Sequence, residues 1–218
     1  MNIGINRAHF PVSVLGPGQR IGIWLQGCSL RCKGCVSRDT WQSDPGRLMT
    51  VAQLLAWCRD ITAGRLDGVT LSGGEPFDQA PALAALLAGL RQWRGSAGLD
   101  FDLLCYSGYP LATLQQRHAH LLQQLDALIP EPYVAAKPLT HLWRGSANQP
   151  LLALSGRGRK KYAGYLDAPA DQAAKRMQTM LDGQRVWYVG IPGRGDLAAL
   201  DAACRAKGLR FDQASWLS

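Results

Sequence analysis

Short β-branched strands and amphipathic helices alternate along most of this chain, and that alternation confines it to an α/β architecture. Arg20–Leu25 reads as a strand running into a loop. From about Thr50 to Ile61 the residues Val51, Leu54, Leu55, Cys58 and Ile61 share one face at a 3.6-residue period. After the turn signal Asp67-Gly68, Val69–Ser72 reads as a buried strand, and Leu83, Leu86, Leu87, Leu90 and Trp93 stripe a second helix. Asp102–Tyr106 predicts a strand, Leu111–Leu125 a helix and Ala127–Ile129 a further strand. Such an order implies parallel strands joined by right-handed crossovers, with functional loops at the strand C-termini. The expected fold is a partial (β/α) barrel of parallel strands, open on one side.

The remainder is expected to add an extension. Arg157-Gly158-Arg159-Lys160-Lys161-Tyr162 reads as an exposed basic loop between domain parts. Asp171–Leu181 predicts a helix, Arg185–Ile191 a strand, and Asp196 caps a helix through Lys207, with Gly208 at its end. Phe211 and Trp216 are apolar anchors. These features divide the chain into a core of residues 1–155 and a strand–helix–strand extension of residues 156–218.

Cys28, Cys32 and Cys35 lie on one loop in a C-x3-C-x2-C spacing. Three thiolates there can hold three corners of a four-iron cluster, leaving the fourth iron open to a ligand. A structural zinc site wants four ligands, usually as two close pairs, and no second pair is present. Zinc and plain thiols remain the weaker readings. Cys58, Cys105 and Cys204 stand singly in apolar stretches and read as packing residues. Arg31 and Lys33 flank the cysteines and are expected to favour thiolates. No apolar signal-like run follows Met1, so a reducing, cytoplasmic setting is expected.

The second chemical segment is Ser72-Gly73-Gly74-Glu75-Pro76. Two glycines at a strand end expose bare backbone to a ligand, and Glu75 offers an acceptor for an amino group. Most such segments are merely turns. A hydrophobic fraction of 47% with 18% charged residues argues against disorder, and no apolar run approaches a membrane span. The net charge of +8 suits an acidic partner, although a solvated surface is the plainer reading. Nucleic acid and membrane are not expected partners.

Taken together, Arg20-Ile21-Gly22-Ile23-Trp24-Leu25-Gln26-Gly27-Cys28, the other two cysteines and Thr40-Trp41 resemble the cluster loop of radical S-adenosylmethionine enzymes. Within that superfamily the chain is similar to the small activating enzymes of anaerobic ribonucleotide reductase. Phe10-Pro11-Val12, Gly16-Pro17-Gly18-Gln19-Arg20, Ser72–Pro76, Tyr106-Ser107-Gly108-Tyr109 and Trp143-Arg144-Gly145-Ser146-Ala147-Asn148-Gln149 fit the same group in order, over about residues 10–150.

The resemblance implies that Cys28, Cys32 and Cys35 ligate a catalytic [4Fe–4S] cluster whose open iron is chelated by S-adenosylmethionine. It implies that Ser72, Gly73, Gly74 and Glu75 lie along the methionine amino group, and that Gly34 and Val36 pass near the adenine. Ser107 and Gly108 would contact the ribose or carboxylate. Asn148, with Gln149, would sit at the same mouth. It further implies reductive cleavage to a 5′-deoxyadenosyl radical, hydrogen-atom abstraction, an external electron donor of flavodoxin or ferredoxin type and a glycyl-radical enzyme as partner.

Three departures stand out. Gly34 replaces the aromatic residue common elsewhere in the superfamily, as in the activating group. Ile129-Pro130-Glu131-Pro132-Tyr133 replaces an acidic–glycine turn, and 69 residues follow Gln149. The expectations are therefore an activating enzyme, a free-standing radical enzyme that modifies a peptide or small molecule, or a non-enzymatic iron–sulfur or zinc module.

Overall fold

The first strand, β1 (Asn2–Val12), is one the residue pattern does not announce. It runs antiparallel to β2 (Arg20–Leu25), with register breaks between Ile5 and Arg7 and between His9 and Val12. Bulges of this kind break the two-residue alternation, so the polar run Asn6–His9 does not read as strand. The computed structural model describes residues 1–172, 175–182, 185–210 and 214–216. A short β3 (Leu48–Thr50) leads into α1 (Val51–Thr62), which opens on a capping box. There the Gln53 amide donates to Thr50 Oγ1 at 3.1 Å, and the Thr50 amide donates to Gln53 Oε1 at 2.9 Å. The order continues β4 (Gly68–Ser72), α2 (Ala80–Ser96), β5 (Asp102–Tyr106), α3 (Leu111–Leu122), β6 (Ala127–Ile129), β7 (Leu152–Ala153) and α4 (Gly156–Tyr162).

The seven strands form one sheet in the order β3-β1-β2-β4-β5-β6-β7. Its centre, β2-β4-β5-β6, is parallel as expected, whereas β1, β3 and β7 pair antiparallel. The α/β class and parallel centre are as expected; among the described residues the sheet is open and mixed, and not built of parallel strands throughout. Edge strands of three and two residues offer too few ladder bonds to pair with each other.

Alternation along the central strands separates two faces. Ile21, Ile23, Val69, Leu71, Leu103 and Cys105 pack with Leu54, Leu83, Leu86 and Leu90 of the helices. On the opposite face the Arg20 guanidinium donates to both Asp102 oxygens at 2.9 and 2.7 Å. Its Nε donates to Thr70 Oγ1 at 2.7 Å, and Tyr162 Oη donates to Asp102 at 2.6 Å. Arg20, Thr70, Asp102 and Tyr162 are all fully buried. Gly68 makes this geometry possible. It pairs with Arg20 on one side and Asp102 on the other, and a Cβ there would lie 2.1 Å from Arg20 Nη1. The arginine crosses β4 over a bare backbone.

Past α4 the tail departs from its reading. Asp171–Leu181 was expected as a helix; it holds a 3-10 turn at Ala170–Gln172 and then strand β8 (Met177–Asp182), paired antiparallel with β9 (Arg185–Gly190). Helix α5 (Asp196–Ala206) follows. Two-residue periodicity wins here. Gln178 and Met180 face the core, and Leu181, which a helical stripe would bury, is 78% exposed. Among the described residues, 156–218 thus hold a helix, a hairpin and a helix where strand–helix–strand is expected. Its hairpin contributes Val189 and Met180 to a second apolar cluster with Val12, Val14, Leu15, Trp24 and Tyr106.

The basic run is not a loop either. Ser155 Oγ accepts from the Gly158 amide and caps α4. Arg157 pairs with Asp100 at 2.7 Å, and Lys161 donates to the carbonyls of Asp67 and Asp100. Cys58 and Cys105 are buried as expected, while Cys204 on α5 is only half-buried. Phe211 lies outside the described residues. Among the described residues no helix is long and apolar enough to cross a membrane.

Candidate functional site

Three loops leave the C-terminal ends of β2, β4 and β5 and meet over one open cavity of about 160 Å³. The cysteine loop is closed at its base by backbone bonds. The Gly27 amide donates to Thr40 O at 2.7 Å and the Cys28 amide to Trp41 O at 3.1 Å. Gln26 reinforces the closure by donating to Asp39 O and Gln42 O. Inside the loop the Cys35 amide donates to Cys32 O at 3.1 Å, which turns the second and third sulfurs toward the same side. Gly34 has a φ of +81°, and a Cβ there would sit 3.0 Å from Ala135 Cβ. That crowding explains the absence of a larger residue before Cys35.

The glycine pair is fixed against this loop. The Glu75 amide donates to Gly27 O at 2.9 Å, and the Gly74 amide donates to Thr40 Oγ1 at 2.8 Å. Gly73 and Gly74 have φ of +54° and +53°. A Cβ on Gly74 would lie 2.5 Å from Gly27 O and 2.7 Å from Leu25 O, both backbone atoms that cannot swing away. Gly74→Ala should therefore cost about 2–5 kcal/mol of stability, summing left-handed strain and overpacking. Urea denaturation of the purified variant measures this; a cost below about 1 kcal/mol would contradict the crowding.

Two carboxylates three residues apart bind the loops to one another. Glu75 is buried and accepts three bonds, from the Phe77 amide at 3.1 Å, Ser107 Oγ at 2.8 Å and the Gly108 amide at 2.7 Å. Asp78 accepts from the Ser29 amide at 2.8 Å, Ser29 Oγ at 3.0 Å and Tyr109 Oη at 2.7 Å. Glu75 thus ties the β4 loop to the β5 loop, and Asp78 ties both to the cysteine loop. Asp78 was missed from the residue pattern. Its place on the 3-10 turn directly after Glu75-Pro76 was the available signal.

Burial pushes the Glu75 carboxyl up from 4.5 to about 7, against the three donors that favour its ionised form. The folded chain then holds this proton more tightly than the unfolded chain. The group's contribution to stability is full below pH 4.5 and is lost as pH rises to about 7. Glu75→Gln should flatten that fall and lower stability overall, because an amide cannot accept from all three donors. Denaturation midpoints of the metal-free protein between pH 5 and pH 7.5 test the sign. Burial also pushes the Cys28 and Cys32 thiols up, the reverse of the shift expected from Arg31 and Lys33.

The cavity is lined by Cys28, Cys32, Cys35, Ser72, Gly73, Gly74, Glu75, Ser107 and Gly108, so these nine expected residues are brought together. Gln149 reaches the wall as well, whereas Asn148 turns away and donates to Pro132 O at 2.8 Å. Val36 lines a neighbouring cavity, and its carbonyl accepts from Ser215 Oγ at 2.6 Å. Leu30, Ser37, Thr40, Trp41, Tyr106 and Tyr133 complete the wall. The donor set fits a cluster. Three sulfurs line one cavity, and thiolates are the ligands that iron–sulfur clusters take. Trp41 also leaves its buried Nε1–H without an acceptor beside the sulfurs.

Comparison with known proteins follows the same residues. The sequence profile of the 4Fe-4S single cluster domain matches residues 14–152. The anaerobic ribonucleoside-triphosphate reductase-activating protein of Enterobacteria phage T4 is 30% identical over 138 residues, covering 63% of this chain and 86% of that protein. The protein of the same name from Vibrio cholerae is 33% identical over 146 residues, covering 65% and 92%. That from Escherichia coli K12 is 28% identical over 148 residues, covering 65% and 93%.

Proposed function

Since the chain belongs to the 4Fe-4S single cluster domain family, as a radical S-adenosylmethionine protein of the activating type, we propose that it plants a glycyl radical on a large partner enzyme. The proposed partner is an anaerobic ribonucleoside-triphosphate reductase, the enzyme for which its relatives are named. A [4Fe–4S] cluster and S-adenosylmethionine are its cofactors. The observation that carries the reading is the meeting of three cysteines, two left-handed glycines and the Ser107-Gly108 backbone around one cavity.

When bound, the cofactors supply one electron to a sulfonium and a carbon radical that takes a hydrogen atom. The chain's residues do the holding. Cys28, Cys32 and Cys35 are the cluster ligands, and Gly73 and Gly74 offer backbone without a Cβ to the amino acid end of the second cofactor. Glu75 acts chiefly as a strut, since all three of its hydrogen bonds go to this chain, and it presents Ser107 and Gly108 to the ligand. Arg31 and Lys33 are exposed at the loop and give an acidic reductant of flavodoxin or ferredoxin type a cationic approach.

The test is to mix the reconstituted protein, a strong reductant and S-adenosylmethionine with and without a candidate reductase. Partner-dependent growth of a glycyl-radical resonance, with 5′-deoxyadenosine formed alongside, supports the proposal. Turnover that no glycyl-radical enzyme stimulates would overturn it.

A second reading, a self-contained enzyme acting on a peptide or small molecule, is favoured by one feature. The hairpin of the proposed 156–218 extension packs over Trp24 and Tyr106, on the sheet face that a bulky partner would otherwise reach. Ending the chain at Gln172 keeps Tyr162 in place and separates the readings. An activating enzyme should retain uncoupled cofactor cleavage, while a self-contained one should lose it.

A further inference from the structure

A second cavity lies between the core and the extension, and its chemistry differs from that of the cluster site. It opens to solvent and is lined by His141 and Arg144 from the loop after β6, by Lys175 and Arg176 from the entry to β8, and by apolar Val14 and Ile191. None of its described lining residues is acidic. We propose that this cavity is a binding site for a small phosphate-type oxyanion, free or as the phosphoryl end of a metabolite.

Three observations support the assignment. Arg144 is 5% exposed, and its Nε–H is buried without an acceptor. A buried donor left unpaired is a rarity that a ligand in the adjoining space would relieve. Its Nη2 donates to Leu166 O, which holds the guanidinium in place while Nε–H is left for a ligand. Second, counter-ions are few. Arg176 pairs with Asp196 at 3.1 Å, Asp167 acts on Arg144 only at a distance, and Lys175 has no ion-pair partner among the described residues. Excess positive charge contributed from separate segments suits a tetrahedral, multiply charged anion better than a planar carboxylate. Third, the space inside is small, about 20 Å³, against the roughly 300–1,000 Å³ of sites that take a whole small molecule. The cavity holds an anionic group and not an entire nucleotide. Because its cations come from both core and extension, an occupied site would pin the hairpin to the sheet.

The experiment uses the full chain and inorganic phosphate, with acetate and chloride at matched ionic strength as comparisons. Calorimetric titration and thermal unfolding should report saturable phosphate binding that raises the unfolding temperature, with little effect of acetate. Arg144→Gln and, separately, the exposed Lys175→Gln should each weaken phosphate binding at least tenfold. Lys175→Gln keeps the test valid if Arg144→Gln fails to fold. A glucose 6-phosphate arm that binds as phosphate does would identify a phosphoryl end as an accepted source, and binding of phosphate alone would identify the free ion. Equal effects of phosphate, acetate and chloride, or phosphate binding unchanged by Lys175→Gln, would overturn the proposal.

Discussion

Asp102→Ala should destabilise the folded chain by about 3–5 kcal/mol, the cost of stranding a buried charge. Arg20 and Asp102 are both fully buried and bonded through two oxygens, and Tyr162 donates into the same carboxylate. Alanine would leave the guanidinium without a counter-ion and the phenol without an acceptor. The other acceptors of Arg20, Thr70 Oγ1 and the carbonyls of Pro17 and Val69, are neutral and cannot replace the counter-ion. Equilibrium urea unfolding measures the loss. Asp100→Ala is the matched control. Its pair with Arg157 is of similar length, but its side chain is 73% exposed, so the change should stay within about 1 kcal/mol. A small effect at Asp102 would mean that this network does not hold the sheet's second face together.

The largest functional effect should follow from the cysteines. Cys28→Ala, Cys32→Ala and Cys35→Ala should each abolish the brown chromophore formed on anaerobic reconstitution with iron and sulfide. The parent should carry about four irons per chain. Each variant should also lose all formation of 5′-deoxyadenosine, since each removes one of the three sulfurs that line the cavity. Cys204→Ala should leave iron content unchanged. Cys58→Ala should do the same while costing some stability, because that thiol is fully buried against the helix face. Iron and zinc analysis of each variant decides the matter, and a colourless parent holding one zinc per chain would sink the cluster assignment.

Much of the candidate site was legible because its residues are unusual at the level of single letters. Three closely spaced cysteines and a glycine pair at a strand end have few structural excuses, and all of them line one cavity. The parallel centre of the sheet was equally readable, since fully buried strands and striped helices differ in period. What stayed hidden depended on tertiary context. β1 was masked by its bulges, and β8 by a run of residues compatible with either period. Glu75 was expected to face a ligand, but its carboxylate is consumed by Ser107 and Gly108, residues 32 and 33 positions away that no local pattern connects to it. Gly68 looked like half of a turn signal. Its role appears only once Arg20 and Asp102 are seen on either side of it.

The bond from Ser215 Oγ to Val36 O joins positions 179 residues apart, the far end of the chain to the segment that follows Cys35. The Thr40, Glu75 and Asp78 anchors of the loop all come from residues before position 80, so this flank alone is tied to the tail. A disturbance of the tail would therefore reach the segment after Cys35 and leave the base of the loop held.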